Sequence, residues 1–185
     1  ANDEKEKAGA VVKIAAITES ITSLTAYILL YLAAPFAAGY FIKDTGAFNW
    51  AASVPLIRYY GLIILFNIVT ETSTAVLNIG GYFRVQAGIN LVQSVFVMAL
   101  ITGAYVFKAG IFVVITAYLI GKLFIGVSTF FSAISKMPDL FGKLWWKAPV
   151  ASLGNIKEMG HFAISSNLSG TLNLVVRDSE VLWVG

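Results

Sequence analysis

The sequence contains no cysteine and a single histidine, His161, in 185 residues. It therefore offers no disulfide, no cysteine nucleophile and no zinc site of the cysteine and histidine type. Charged residues are also scarce, at 12% of the chain, whereas a soluble domain carries about 25%. This shortage of charge excludes an ordinary water-soluble globular protein.

Apolar residues are correspondingly abundant. Hydrophobic residues make up 58% of the chain, and the mean hydropathy is +0.79. The apolar runs are continuous and approach the length of about 20 residues that crosses a bilayer as a helix. Because the runs do not alternate as barrel strands do, the sequence predicts an all-α fold, a polytopic transmembrane helical bundle.

Five such runs predict five spans, at about residues 15–41, 54–78, 87–107, 111–134 and 161–184. The second and third form a hairpin with a short polar connection at residues 78–86, and residues 108–110 form the next turn. Pro35 is expected to kink the first span. Residues 1–134 thus hold four spans, residues 135–160 form a basic, amphipathic linker along the interface, and residues 161–185 begin a fifth span. Both ends look cut, so we expect an internal piece of a longer protein.

The basic residues are unevenly distributed between the two ends of the predicted spans. One side carries eight: Lys5, Lys7, Lys13, Arg84, Lys136, Lys143, Lys147 and Lys157. The other side carries three: Lys43, Arg58 and Lys108. The positive-inside rule then predicts a cytoplasmic N-terminus and linker. The net charge of +3 is explained by this anchoring to membrane lipids, without a nucleic-acid partner.

Polar side chains inside spans are costly and are therefore functional candidates. On the second span they recur at spacings that share one helical face: Asn67, Glu71, Thr74 and Asn78. The fourth span carries a similar stripe of Tyr118, Lys122, Thr129 and Ser132, with Lys122 about 18 Å from its outer end. The fifth carries Ser166, Ser169, Asn173 and Arg177, with Asp178 beside the arginine.

A purely structural interpretation of these residues stays open. Hydroxyl and amide groups can join helices by hydrogen bonds, a lysine can neutralise Glu71, and Asp178 can neutralise Arg177. Arg58 lies near a span end and can extend to the headgroups. Glu19, in the first turns of its span, is expected at the interface.

No arrangement typical of an enzyme is present. There is no phosphate-binding glycine loop and no serine paired with a base, since His161 is expected at the membrane edge. The sequence therefore does not predict an enzyme.

Four segments form a recognisable series: residues 34–41, the hairpin turn Tyr82-Phe83-Arg84, residues 162–168 after a basic loop, and residues 176–185, where an acidic residue precedes an apolar run and a glycine. In this order and spacing they resemble the polysaccharide (lipid-linked oligosaccharide) flippases of the multidrug/oligosaccharidyl-lipid/polysaccharide (MOP) superfamily.

The resemblance implies a two-lobe transporter with about 12 to 14 helices. This chain would supply the last four spans of the first lobe, the linker and the start of the second lobe, the rest of the protein lying outside it. The family is similar in moving polyprenyl-pyrophosphate-linked oligosaccharide from the inner to the outer leaflet of the cell membrane, by alternating access. On this interpretation Lys122 and Arg177 attract the pyrophosphate or acidic sugars, while Glu71 and Asp178 hold them or carry a coupling cation.

The sequence is also compatible with other functions. No cofactor is expected, and the coupling cation, H⁺ or Na⁺, is left open. A multidrug or organic-cation exporter of the same superfamily would depend on Glu71 and an acidic cavity, whereas these spans carry at least as much base as acid. A membrane-embedded glycan ligase or acyltransferase would need a nucleophile and a base, and a structural scaffold would need only dry helix contacts.

Overall fold

A computed structural model describes residues 2–41, 50–138 and 145–148, with only the backbone at 2–6, 41 and 50. These residues all belong to one compact unit, Ala1–Ala148. Every regular element in the described ranges is helical. The α-helices are α1 (Asn2–Phe41), α2 (Trp50–Gly61), α3 (Asn67–Ile79), α4 (Phe83–Val106) and α5 (Ile111–Lys136), joined by short 3-10 helices at Leu62–Ile64 and Trp145–Lys147.

Four stretches are long and apolar enough to cross a membrane: Lys7–Tyr40, Ala51–Ile79, Phe83–Val106 and Ile111–Lys136. They confirm the first four predicted spans and the helical class of a membrane protein. The fifth span and residues 139–144 and 149–160 of the linker lie outside the described residues.

The helix bounds differ from the predicted ones mainly at the N-terminus. Helix α1 begins at Asn2 rather than near Ala15, so the charged leading segment belongs to the same continuous helix. The hairpin connection is also shorter than residues 78–86, because α4 begins at Phe83. Gly81 ends α3 with a φ of 72°, a left-handed conformation that glycine adopts without strain.

The second span is broken in its middle, which the sequence interpretation did not foresee. Helix α2 ends at Gly61 and α3 begins at Asn67. Between them the backbone tightens, with the Leu65 amide donating to the Leu62 carbonyl at 3.0 Å. Pro55 lies inside α2, well before this break, and is not its cause.

The helices follow one another as a row. Helix α1 contacts α2 and α3, α3 contacts α5, and α5 contacts α4, whereas α4 touches α3 only slightly. Two small apolar clusters lie at opposite ends of the helices, along the direction of the helix axes. At the end we call the Leu77 end, Val12, Val76, Leu77 and Ala133 are buried together. At the opposite end, the Val54 end, α1 and α2 meet through Ala34, Ala38 and Val54.

Small residues let these helices approach closely. A Cβ atom added at Gly126 of α5 would lie 3.1 Å from the Thr70 hydroxyl oxygen of α3, and one added at Gly121 would overlap Val97 of α4. Membrane helices commonly associate through such small residues, since lipid supplies no hydrophobic force between them.

Candidate functional site

The polar stripe of the second span forms one face of α3, as predicted. Glu71 and Asn78 are exposed and Asn67 and Thr74 are half-buried in the described structure. The opposite side of α3 is the buried one, with Thr70 and Ser73 toward its neighbours. The stripe is therefore not covered by the described helices.

Glu19 is close to two other ionisable side chains from different helices. The Glu19 carboxylate of α1 interacts electrostatically with both Glu71 of α3 and Lys122 of α5. We call Glu19, Glu71 and Lys122 the charged cluster. Among the described residues, no direct ion pair joins its members. The described structure shows no direct ion pair between Glu71 and a lysine, so its neutralisation by a neighbouring lysine stays a prediction.

The contacts between helices give the depth of the charged cluster. Val12 and Val76 meet at the Leu77 end, and Glu19 and Glu71 lie seven and five residues from them, about 10 Å and about 8 Å along their helices. Gly126 adjoins Thr70, and Lys122 is one turn farther from the Leu77 end. Lys122 therefore lies at the depth of the break between α2 and α3.

A buried hydroxyl holds one member of the charged cluster in place. Ser23, which is 5% exposed, donates a hydrogen bond of 3.1 Å to Glu19 Oε1. This bond orients the carboxylate along α1.

The sequence predicts Glu19 at the interface, in the first turns of its span, and its depth in a bilayer stays a prediction. In the structure it belongs to one continuous helix, Asn2–Phe41. The structure adds its hydrogen bond to Ser23 and its interaction with Glu71 and Lys122, which the sequence prediction did not include.

Arg58 is not part of the charged cluster. Its Nε donates to the Tyr31 carbonyl at 3.1 Å, and its guanidinium carbon lies 4.0 Å from the centre of the Tyr31 ring. Arg58 precedes Glu71 by 13 residues, about 20 Å along the span. The structure therefore fixes Arg58 between α1 and α2, toward the Val54 end.

Not every residue of the predicted stripe on α5 faces the cluster. Tyr118 is 45% exposed, whereas Thr129 is 1% exposed. The Thr129 hydroxyl donates to the Ile125 carbonyl of its own helix at 2.8 Å, so this residue serves helix packing. Asn173, Arg177 and Asp178 lie outside the described residues.

The arrangement brings two carboxylates and one ammonium together within apolar helices, where isolated charges are expensive. Within the described part of the chain, no group of three or more metal-ligating side chains is gathered. The charged cluster can attract a small cation to its carboxylates or an anionic group to its lysine.

The chain matches no protein-family model, no curated protein and no solved structure.

Proposed function

We propose that this chain is part of a membrane transporter, not an enzyme, that moves polyprenyl-pyrophosphate-linked oligosaccharide from the inner to the outer leaflet of the cell membrane. The sequence resemblance suggests the substrate. The charged cluster is the observation that carries the proposal, because three ionisable groups from three helices lie within electrostatic range of Glu19 inside apolar spans.

The cluster suits the chemistry of such a substrate. A glycan and its pyrophosphate need a hydrated route through the bilayer, and the lipid tail must stay in the hydrocarbon. Lys122 would attract the phosphate oxygens, while Glu71 and Glu19 would orient the ammonium or bind a coupling cation, H⁺ or Na⁺. The break at Leu62–Ile64 supports this role, since transporters commonly place their sites at discontinuous helices.

Export by full-length variants tests the role of Lys122. Lys122→Met removes the charge at similar length, so we expect export to fall about tenfold, as the loss of one interaction of about 1.4 kcal/mol would produce. Lys122→Arg keeps the charge and should keep most of the activity. Glycan reaching the outer leaflet is measured together with the amount of protein in the membrane.

Lys108→Met is the matched control, because Lys108 is an exposed lysine in the turn between α4 and α5. It should leave export unchanged. Full export by a normally abundant Lys122→Met protein would contradict the proposal.

A second candidate is an exporter of organic cations. It is favoured by the balance of charge at the site, where Glu19 and Glu71 outnumber Lys122 among the described residues. The expectation of at least as much base as acid does not hold for this cluster. For a cation exporter, Glu71→Gln should abolish export of a lipophilic cation and Lys122→Met should not reduce it.

A further inference from the structure

The first part of the linker after α5 is fixed to the start of α1. Trp145 packs against the apolar cluster of the Leu77 end. A Cβ atom placed at Gly9 would lie 3.6 Å from the Ala148 Cβ and 3.7 Å from the Trp145 Cα, which is ordinary van der Waals contact. The short 3-10 helix Trp145–Lys147 therefore lies directly against α1 at Gly9.

A lysine on α1 completes this attachment. Lys13 Nζ donates a hydrogen bond of 3.2 Å to the Ala148 carbonyl, across 135 residues of sequence. An ammonium group has three donors, and this bond uses one of them. Lys13 is half-buried, so the two remaining N–H donors of its ammonium group can reach a partner at the exposed edge of the attachment.

The attachment decides which side chains point away from the protein. With Trp145 held by the apolar cluster, Trp146 is 53% exposed, and Lys147 beside it is exposed as well. The two indole rings are nearly perpendicular, at 80° and 6.1 Å between centres. An indole with an exposed face next to two ammonium groups is a combination typical of the bilayer interface.

We propose that Trp146, Lys147 and Lys13 form a binding site for the headgroup of an anionic phospholipid. The ammonium groups bind the phosphate, and the Trp146 ring lies at the depth of the glycerol and the first acyl carbons. Three observations carry this proposal: the two ammonium groups of the attachment, the exposed indole, and the fixed backbone between them. The site does not depend on the transport function proposed above.

Binding of dioctanoyl phosphatidylglycerol to the purified, detergent-solubilised protein tests the site, measured by native mass spectrometry. Each lysine near an anionic lipid contributes about 1 kcal/mol, so Lys147→Met and Lys13→Met should each weaken binding about fivefold. Trp146→Ala should weaken phosphatidylglycerol and phosphatidylcholine alike, because it removes the apolar contact that both lipids use.

Lys108→Met is again the control and should leave the affinity unchanged. Equal binding of both lipids to the unaltered protein would overturn the proposal, as would an unchanged phosphatidylglycerol affinity in Lys13→Met and Lys147→Met. Soluble glycerol 3-phosphate should not displace the lipid, and displacement at similar concentrations would indicate a site for free anions instead. Circular dichroism of each variant shows whether its helices are retained, so that a loss of binding can be assigned to the site.

Discussion

At the scale of single residues, two glycines set how closely α5 approaches its neighbours. Gly121 adjoins Val97 and Gln93 of α4, while Gly126 adjoins Thr70 of α3. Such contacts gain dispersion energy across the interface that a lipid tail would otherwise fill. A single methyl group is therefore enough to separate these helices.

Gly121→Ala should destabilise the protein by about 1–3 kcal/mol, because the added Cβ overlaps Val97 and forces α4 and α5 apart. The measurement is thermal unfolding in detergent or lipid. Gly103→Ala is the matched control, since nothing lies within 4 Å of its Cβ position, and it should be neutral or stabilising by up to about 1 kcal/mol. In the double variant with Val97→Ala the two costs should not add, because the new methyl fills the space vacated by valine. Equal stability of Gly121→Ala and the control would contradict this contact.

The residues of the charged cluster were partly predictable from the sequence. Glu71 and Lys122 stand out because each is an ionisable group on a polar stripe of a predicted span. Glu19 does not, because it lies only a few residues inside the predicted start of its span and on no predicted stripe. Which helices bring the three together depends on contacts that are distant in sequence.

At the scale of elements, the positions of four apolar stretches followed from apolar length and short turns, whereas the start of α1 and the break in the second span did not. Residues 62–66 are all apolar, and neither proline nor glycine interrupts them. Hydropathy measures transfer from water and is insensitive to a change from α to 3-10 hydrogen bonding. The break lies where the chain passes from α2, which packs mainly against α1, to α3, which packs mainly against α5.

The attachment of the linker to α1 predicts an engineered disulfide. The chain has no natural cysteine, and the Cβ separation of 3.6 Å between positions 9 and 148 lies in the range that disulfides adopt. Gly9→Cys with Ala148→Cys should cross-link under mild oxidation in membranes, detected as a joined peptide by mass spectrometry.

The control pairs Gly9→Cys with Gly88→Cys, an exposed position near the start of α4 with nothing within 4 Å of its Cβ. It should stay reduced under the same conditions. If both cysteines of the 9 and 148 pair remain open to alkylation after oxidation, the segment is not held against α1.

At the scale of the whole molecule, the two ends of the helices differ in the number of basic residues, as predicted. The described basic residues near the Leu77 end are Lys7, Lys13, Arg84, Lys136 and Lys147, whereas Arg58 and Lys108 lie nearer the other end. The structure thus confirms that these groups collect at one end, and the assignment of that end to the cytoplasm stays a prediction.

Single cysteines test the orientation. Ser135→Cys lies at the Leu77 end and Gly110→Cys in the turn at the opposite end, and both positions are exposed. A membrane-impermeant maleimide should label position 110 in intact cells and position 135 only after lysis. The reverse pattern would show that the molecule is inserted the other way round.

Two buried hydroxyl groups of α3 bear on how the protein is made. Thr70 donates to the Phe66 carbonyl at 2.9 Å, and Ser73 donates to the Val69 carbonyl at 2.8 Å, so each is satisfied within its own helix. A ribosome delivers α3 to the membrane before α5, and during that interval the face later covered by α5 meets lipid. Because these two hydroxyls need no partner from another helix, neither is left unpaired in hydrocarbon before α5 arrives. At Thr70, α5 then completes the interface at Gly126 by packing alone.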